Sequence, residues 1–353
     1  MAKRKAKATV RVGIIGPGGV GADRAHKLQK EPNCEVVAAA DVDERRIRDL
    51  RKRLGKKDIV AYLGADGYKK MIKEQDLQAV GVFGPHSLHH AHAKLALNSG
   101  CHVLIEKPMA NGVAKAVDLY KLARKKRRIL LIHYQRHFEP VYVAARQLLA
   151  KGVIGKLNHF YCYMAQDYRG VGSWRMVNKI AGGGQINDSG SHYQDIMIWM
   201  TGLMPLRALG ATDKYMGGTL RDIEVNSSHH VEFEKGLTGR MIIVGDYLGG
   251  FVDDVILEGE KGLLKLTGGR IVLHANGKTK ELPAKLPRGW PKDPCNNFAG
   301  LLDGRYKENC VDGILGARVA MLTEALLESG RKRKAVECKD MLKRAGLTYR
   351  DIR

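Results

Sequence analysis

Over its first 133 residues the chain alternates short apolar runs with stretches of helical period, the pattern of a parallel sheet clad in helices. Val10–Ile15 predicts a strand, Gly18–Lys30 a helix, and Glu35–Ala40 a second strand ending at Asp41. Asp43 can cap the next helix, Glu44–Leu54, and Gly55 can stop it. Ala79–Phe83 reads as a buried strand broken by Gly84-Pro85, followed by a helix from about Leu88 to Asn98 that stops at Gly100. His102–Ile105 predicts a strand running into Glu106-Lys107-Pro108. A helix over Lys115–Lys126 and a strand over Ile129–His133 close the series.

Past Tyr134 the rhythm changes. A helix near Val141–Lys151 and a strand over Leu157–Ala165 precede a helix at about Asp188–Met200. Strand candidates then follow in a row: Leu206–Ala211, Val225–Glu234, Leu237–Val244, Val252–Glu258, Leu263–Leu266 and Ile271–His274. Glycine turns at Lys235-Gly236, Lys261-Gly262 and Gly268-Gly269 suit antiparallel neighbours. Helices return at about Asn296–Asp303 and Asp312–Ser329. The expected fold is α/β: a doubly wound parallel-sheet (Rossmann) domain over 1–133, preceded by a basic tail at 1–8, and an α+β domain over 134–353. The second domain carries a large, mostly antiparallel open sheet, and its C-terminal helices can pack back on the first. A length of 353 residues suits two cores rather than one.

Composition narrows the function classes. No apolar run reaches the roughly 18 residues of a membrane span, and the basic N-terminus lacks the apolar segment of a secretory signal. Six scattered cysteines without a C-x-x-C pair argue against a disulfide framework or zinc ribbon and fit a reducing cytoplasm. The net charge is +23, yet the Lys/Arg clusters are not interleaved with aromatics, which make up only 6% of the chain. A solvated basic surface explains this better than a specific nucleic-acid interface.

Gly16-Pro17-Gly18-Gly19-Val20-Gly21 is G-x-G-x-x-G placed after a strand and opening a helix. The first glycine permits a tight turn, the second lets backbone approach a pyrophosphate, and the third packs helix on strand. The helix N-terminus then offers free N–H groups to phosphate. A glycine-rich turn beside a capping Asp would give the same letters without a ligand. Asp41, about 20 residues on at the end of the second strand, is what raises the pattern to a dinucleotide site, because a carboxylate there accepts the ribose hydroxyls. Asp41 favours NAD; Arg45 and Arg46, close by, keep NADP open.

Lys107 follows a strand, so it is expected at the carboxyl edge of the sheet, where it can donate to a reacting oxygen. Asp188, His192 and Asp195 lie four and seven residues apart behind Gly182-Gly183-Gly184, which places them on one helix face. His192 can take a hydroxyl proton, with a carboxylate holding its tautomer. A buried histidine satisfied by a helical neighbour is the plainer alternative. One His and two carboxylates also suit a metal, but no third element offers a ligand and no metal is expected. His86, His89, His90 and His92 have no standard ligand spacing and are read as lining the cofactor cleft or facing solvent.

Together, VRVGIIGPGGVG with Asp41, GCHVLIEKPMA, HYQRHFEPVYVAARQLLAKGVIGKLN and GGGQINDSGSHYQDIMIWMTG resemble the glucose-fructose oxidoreductase and inositol dehydrogenase family (Gfo/Idh/MocA) over nearly the whole chain. The resemblance implies a Rossmann domain and an α/β domain whose sheet often forms the interface of a homodimer or homotetramer. It implies that Lys107, Asp188 and His192 match the family's catalytic lysine, aspartate and histidine. It also implies a sugar, inositol or related polyol as substrate, usually without a metal. Glycine-loop residues, Asp41, Arg46, Pro85, His89, Glu106 and Lys107 are expected around the cofactor. Gln135, Arg136, Asp167, Trp174 and Arg175 fall where members commonly contact substrate. Gly84-Pro85-His86 stands where many members have Thr-Pro-Asn, so no substrate is named.

The leading reading is an NAD(P)-dependent oxidoreductase acting on a hydroxyl carbon. An enzyme of the same fold using bound NAD transiently, for glycoside cleavage or epimerisation, and a non-catalytic NAD(P)-binding regulator are the alternatives.

Overall fold

Short runs of small and β-branched residues build the first sheet, because strands covered by helices on both faces have no polar face to keep. The structure, a computed structural model, describes residues 9–169 and 173–353. The basic tail Met1–Ala8 lies outside the described residues. Contacts divide the chain into two units. The first comprises residues up to Met109, Asp118–His133 and Pro291–Gly313; the second comprises Ala110–Val117, Tyr134–Trp290 and Ile314–Arg353.

In the first unit, β1 (Val10–Ile15), β2 (Cys34–Asp41), β3 (Val60–Leu63), β4 (Ala79–Val82), β5 (His102–Ile105) and β6 (Leu130–Ile132) form one sheet in the order β3-β2-β1-β4-β5-β6. Every pair in it is parallel. The crossovers carry α1 (Gly19–Gln29), α2 (Glu44–Leu54), α3 (Gly67–Glu74), α4 (His86–Asn98) and α5 (Val113–Lys126). Strand order reverses between β1 and β4, and a crevice at the carboxyl edge of such a switch point is where open α/β sheets bind ligands. The Asp43 side chain accepts from Arg45 N–H to start α2, and Gly55, at φ 64°, ends it in the left-handed conformation. β3 and α3 were not expected: β3 is a four-residue edge strand with exposed Val60 and Leu63, so it lacks the buried apolar run of its neighbours.

The second unit begins with α6 (Pro140–Ala150), β7 (Leu157–Ala165), α7 (Asn178–Ala181), α8 (Ser191–Thr201) and β8 (Pro205–Asp213). A small hairpin, β9 (Tyr215–Met216) and β10 (Thr219–Leu220), leads to β11 (Asn226–Phe233), β12 (Thr238–Val244), β13 (Val252–Gly259), β14 (Gly262–Thr267), β15 (Arg270–Ala275) and β16 (Lys278–Leu282). With the late strand β17 (Val336–Glu337) the nine-stranded order is β16-β15-β14-β13-β7-β12-β11-β8-β17. All pairs are antiparallel except β7 with β12. In β11 and β12 every second residue is buried, among them Val231, Phe233, Met241 and Ile243, so one face of the sheet carries the core. α8 starts at Ser191, not at Asp188. Gly190 is its N-cap, and Asp188 sits in the turn before it.

The helix Pro294–Asp303 (α9), read in sequence as part of the second domain, belongs to the first unit. Asp293 caps it through Asn296 N–H, and its Cys295, Phe298 and Ala299 share a core with Ala22, Ala25 and Leu28 of α1. α10 (Gly313–Lys332) and α11 (Cys338–Arg344) complete the chain. The six cysteines are free and buried. Among the described residues, no helix is long and apolar enough to cross a membrane.

Candidate active site

The glycine loop of the first unit is shaped by close approaches. Gly16 has φ 77°, and a Cβ there would lie 2.8 Å from the Gly84 nitrogen on the loop after β4. A Cβ on Gly21 would be driven into the Gly16 carbonyl. Gly19 faces open space, and Val20 is exposed. α1 begins without a side-chain cap and without an acidic residue in its first turn, which leaves its N–H groups and positive dipole end for an anion. A dinucleotide pyrophosphate fits this cradle. Asp41 ends β2, and its Oδ1 already accepts the Asp43 N–H at 2.9 Å. Arg46 leans over the loop, its Nη1 2.9 Å from where a Gly18 Cβ would stand. Arg45 instead pairs with Asp43 at 2.9 Å and is turned to solvent.

Lys107 follows β5 at the same carboxyl edge. Its backbone N–H donates to Glu106 Oε2 at 3.2 Å. The other Glu106 oxygen accepts from Arg24 Nε of α1 at 3.0 Å and lies 3.4 Å from His133 Nδ1. Burial opposes ionisation of Glu106, but the charges around it, with Arg24 and Lys107 among them, outweigh burial and hold its carboxyl below the usual range. His133 is itself pushed down to about 4 by burial, so near neutral pH the positive field comes from Arg24 and Lys107. Pro108 is joined to Lys107 by a cis peptide bond.

His89, expected on the cofactor surface, has a different position. It is fully buried on α4, with Nδ1 2.8 Å from the Pro108 carbonyl and Nε2 2.9 Å from the Gly84 carbonyl. Burial pushes its pKa down, and a neutral imidazole donates to one of these carbonyls at a time. It therefore ties the β4 loop, where Pro85 caps α4, to the loop carrying Lys107. The other histidines of this cluster also scatter. His90 pairs with Asp118 at 2.7 Å, and His92 packs on the Tyr68 ring at 4.3 Å between centroids. Among the described residues no group of His, Cys, Asp and Glu converges on a metal position.

The second unit holds the other predicted groups. The turn Gly182–Gly184 is clamped by Glu224, whose Oε1 accepts from Gly184 N–H at 2.6 Å and Ile186 N–H at 3.1 Å. A Cβ on Gly184 would run into the Glu224 carbonyl. The clamped turn delivers Asp188, whose Oδ2 accepts from the Tyr168 hydroxyl at 2.6 Å and lies 3.3 Å from Arg175 Nε. Burial raises the Tyr168 pKa, and the neighbouring Asp188 charge raises it further, so the hydroxyl stays a donor. At the start of α8, His192 meets the edge of the Tyr134 ring, centroids 5.7 Å apart.

Asp195, Arg136 and Asp167 each have partners of their own here. Asp195, placed by spacing on one helix face with His192, is fully buried, and both its oxygens lie 3.0 Å from His137 Nε2. Arg136, expected at the substrate, is buried in a network of its own. Its guanidinium lies over the Tyr193 ring at 4.5 Å, and its Nη2 donates to the Tyr193 hydroxyl at 2.9 Å and approaches Asp253 at 3.4 Å. Asp167 turns outward to bind Arg169 at 2.9 Å, while the next residue, Tyr168, turns inward to Asp188. In extended chain neighbours face opposite ways, so Asp167 and Tyr168 pair on different sides. Gln135 is half-buried at the start of the turn that carries Arg136, and Trp174 lies under the Arg175 guanidinium at 4.4 Å. Tyr168, Tyr134 and Glu224 were missed, because nothing in their local spacing tells them from ordinary core residues.

Comparison with known proteins adds an independent finding. Residues 10–134 match the oxidoreductase family with an NAD-binding Rossmann fold, and residues 142–265 match the GFO/IDH/MocA C-terminal domain. A dTDP-3,4-didehydro-2,6-dideoxy-alpha-D-glucose 3-reductase of Actinomadura kijaniata is 27% identical over 242 residues, 66% of this chain and 67% of that one. A D-glucoside 3-dehydrogenase of Escherichia coli K12 is 29% identical over 208 residues, 57% of each chain. The chain spans between about half and two thirds of the length of these curated relatives. The crystal structure of an oxidoreductase domain protein from Kribbella flavida shares the fold, with a TM-score of 0.82 over 94% of this chain and 99% of that chain at 20% identity.

Proposed function

The chain belongs to the Gfo/Idh/MocA oxidoreductase family, and from that premise we propose that it is an NAD-dependent dehydrogenase or reductase acting on a hydroxyl carbon of a sugar, cyclitol or related polyol. The observation that carries this reading lies within the first unit. The glycine cradle after β1, the Gly84-Pro85 loop after β4 and Lys107 after β5 stand side by side along one carboxyl edge, and His89 ties the last two together. Bound NAD would rest on Gly16–Gly21 with its ribose at Asp41, and it supplies the hydride acceptor.

Each catalytic side chain then has one task. The Lys107 ammonium donates to the reacting oxygen and stabilises the negative charge that builds there. His192 takes the hydroxyl proton as C–H and O–H bonds break and C=O forms, so the products are a carbonyl, a reduced cofactor and a proton. Asp188, held by Tyr168 and Arg175, supports the positive form of His192.

The test is a 340 nm assay of the purified chain against sugars, inositols and sugar acids, with NAD and NADP run separately. Once a substrate is found, Lys107→Met and His192→Ala should each lower kcat by about a hundredfold or more. Full turnover in both variants would overturn the assignment. Product formed at constant 340 nm absorbance would instead support transient oxidation in glycoside cleavage or epimerisation.

A further inference from the structure

Within the second unit, a cavity of about 540 Å³ opens between α6, the end of α8, the approach to β7 and the β11–β12 turn. Its volume is that of a small-molecule site. Two of the chain's three tryptophans, Trp199 and Trp290, line it. Both are held in place. The Trp199 ring packs on His137, centroids 4.0 Å apart, and Trp290 Nε1 donates to the His137 carbonyl at 3.0 Å. Three cations, Arg146, Lys156 and Lys235, line the same cavity, and no Asp or Glu does. None of the three pairs with a carboxylate among the described residues. The Arg146 guanidinium is instead fixed over the Trp199 ring, 4.8 Å from its centroid.

An apolar surface would be satisfied by aliphatic side chains, and a solvated basic patch would not gather fixed indoles. Indoles and unpaired cations in one concavity have complementary demands. The indoles offer a flat apolar surface to a ring, and the cations call for a compact, multiply charged anion. We propose that this cavity is a binding site for a small ring compound bearing a phosphate group, of the size of a sugar phosphate. Its ring packs against the tryptophans, and its phosphate lies toward Arg146, Lys156 and Lys235. None of these residues belongs to the proposed catalytic set, so the site stands independently of the dehydrogenase reading.

Tryptophan fluorescence and calorimetry of the full chain, titrated with glucose 6-phosphate, inorganic phosphate and glucose, test it. Glucose 6-phosphate should bind at least about tenfold more tightly than either simpler probe. The double variant Lys156→Gln/Lys235→Gln, which changes two exposed side chains and leaves the core intact, should weaken that binding by about tenfold or more. Lys107→Met should leave it unchanged. The proposal is overturned by no binding in the millimolar range, by equal affinity for inorganic phosphate, or by unaltered binding in the double variant. Loss of binding in Lys107→Met would place the ligand at the catalytic lysine instead.

Discussion

Glu224 should make the stability of the second unit fall as pH rises from about 4.5 to 7, and Glu224→Gln should abolish that fall. The carboxyl is buried at 7% exposure, and burial pushes its pKa up from 4.5 to about 7 against the two backbone N–H bonds that favour the ionised form. The folded chain therefore keeps a proton that the unfolded chain releases between about pH 4.5 and 7. Below that window the two states bind protons alike; within it, folding loses free energy as pH increases. A carboxyl raised from 4.5 to about 7 corresponds to roughly 3 kcal/mol lost by pH 8, at 1.36 kcal/mol per pH unit. Glutamine keeps an oxygen for Gly184 and Ile186 N–H but carries no proton to lose. Urea denaturation of both proteins from pH 4 to 8 gives the difference in unfolding free energy. Hydrogen exchange over residues 182–190 reports the clamped turn directly. A wild-type minus variant difference that stays flat across this range would refute the reasoning.

Arg46→Ala should lower kcat/KM for NADP about tenfold more than for NAD, because both cofactors bring a pyrophosphate to the guanidinium above Gly18 but NADP alone adds a 2′-phosphate. Equal losses with both cofactors would count against that placement. Tyr168→Phe removes the 2.6 Å hydrogen bond to Asp188, worth about 1.5–3 kcal/mol when one partner is charged, so kcat should fall about ten- to hundredfold with KM for NAD unchanged. Steady-state kinetics on the identified substrate decide this, and an unaffected kcat rules it out. Asp195→Ala leaves the fully buried His137 without its partner and should cost about 3 kcal/mol of stability in denaturant titrations; a loss under about 1 kcal/mol would mean the pair is dispensable. Gly21→Ala should abolish NAD binding measured by calorimetry, since its Cβ collides with the Gly16 carbonyl; ordinary affinity would show that the turn can relax.

Elements whose cause is local could be read directly from the chain. β1, α2 and β5 stand at the residues that periodicity and caps indicate: Val10–Ile15 by its apolar run, Glu44–Leu54 by Asp43 and Gly55, and His102–Ile105 by burial before Glu106-Lys107-Pro108. The glycine loop was legible for the same reason, since turn, helix opening and the acid ending β2 lie within about 25 residues. Side-chain partners were a different matter. His89 owes its role to carbonyls 5 and 19 residues away, Asp195 to a histidine 58 residues back, and Glu224 to a turn about 40 residues earlier. Helical spacing alone placed Asp195 with His192, yet a buried carboxylate takes whichever cation or donor the packing brings within reach. Pro294–Asp303 likewise left the unit that precedes it because Cys295, Phe298 and Ala299 found their apolar complement on α1. Propensity and spacing act over a few residues and fix elements and loops locally; burial is shared among residues far apart in sequence, so only the folded chain decides which polar groups end up together.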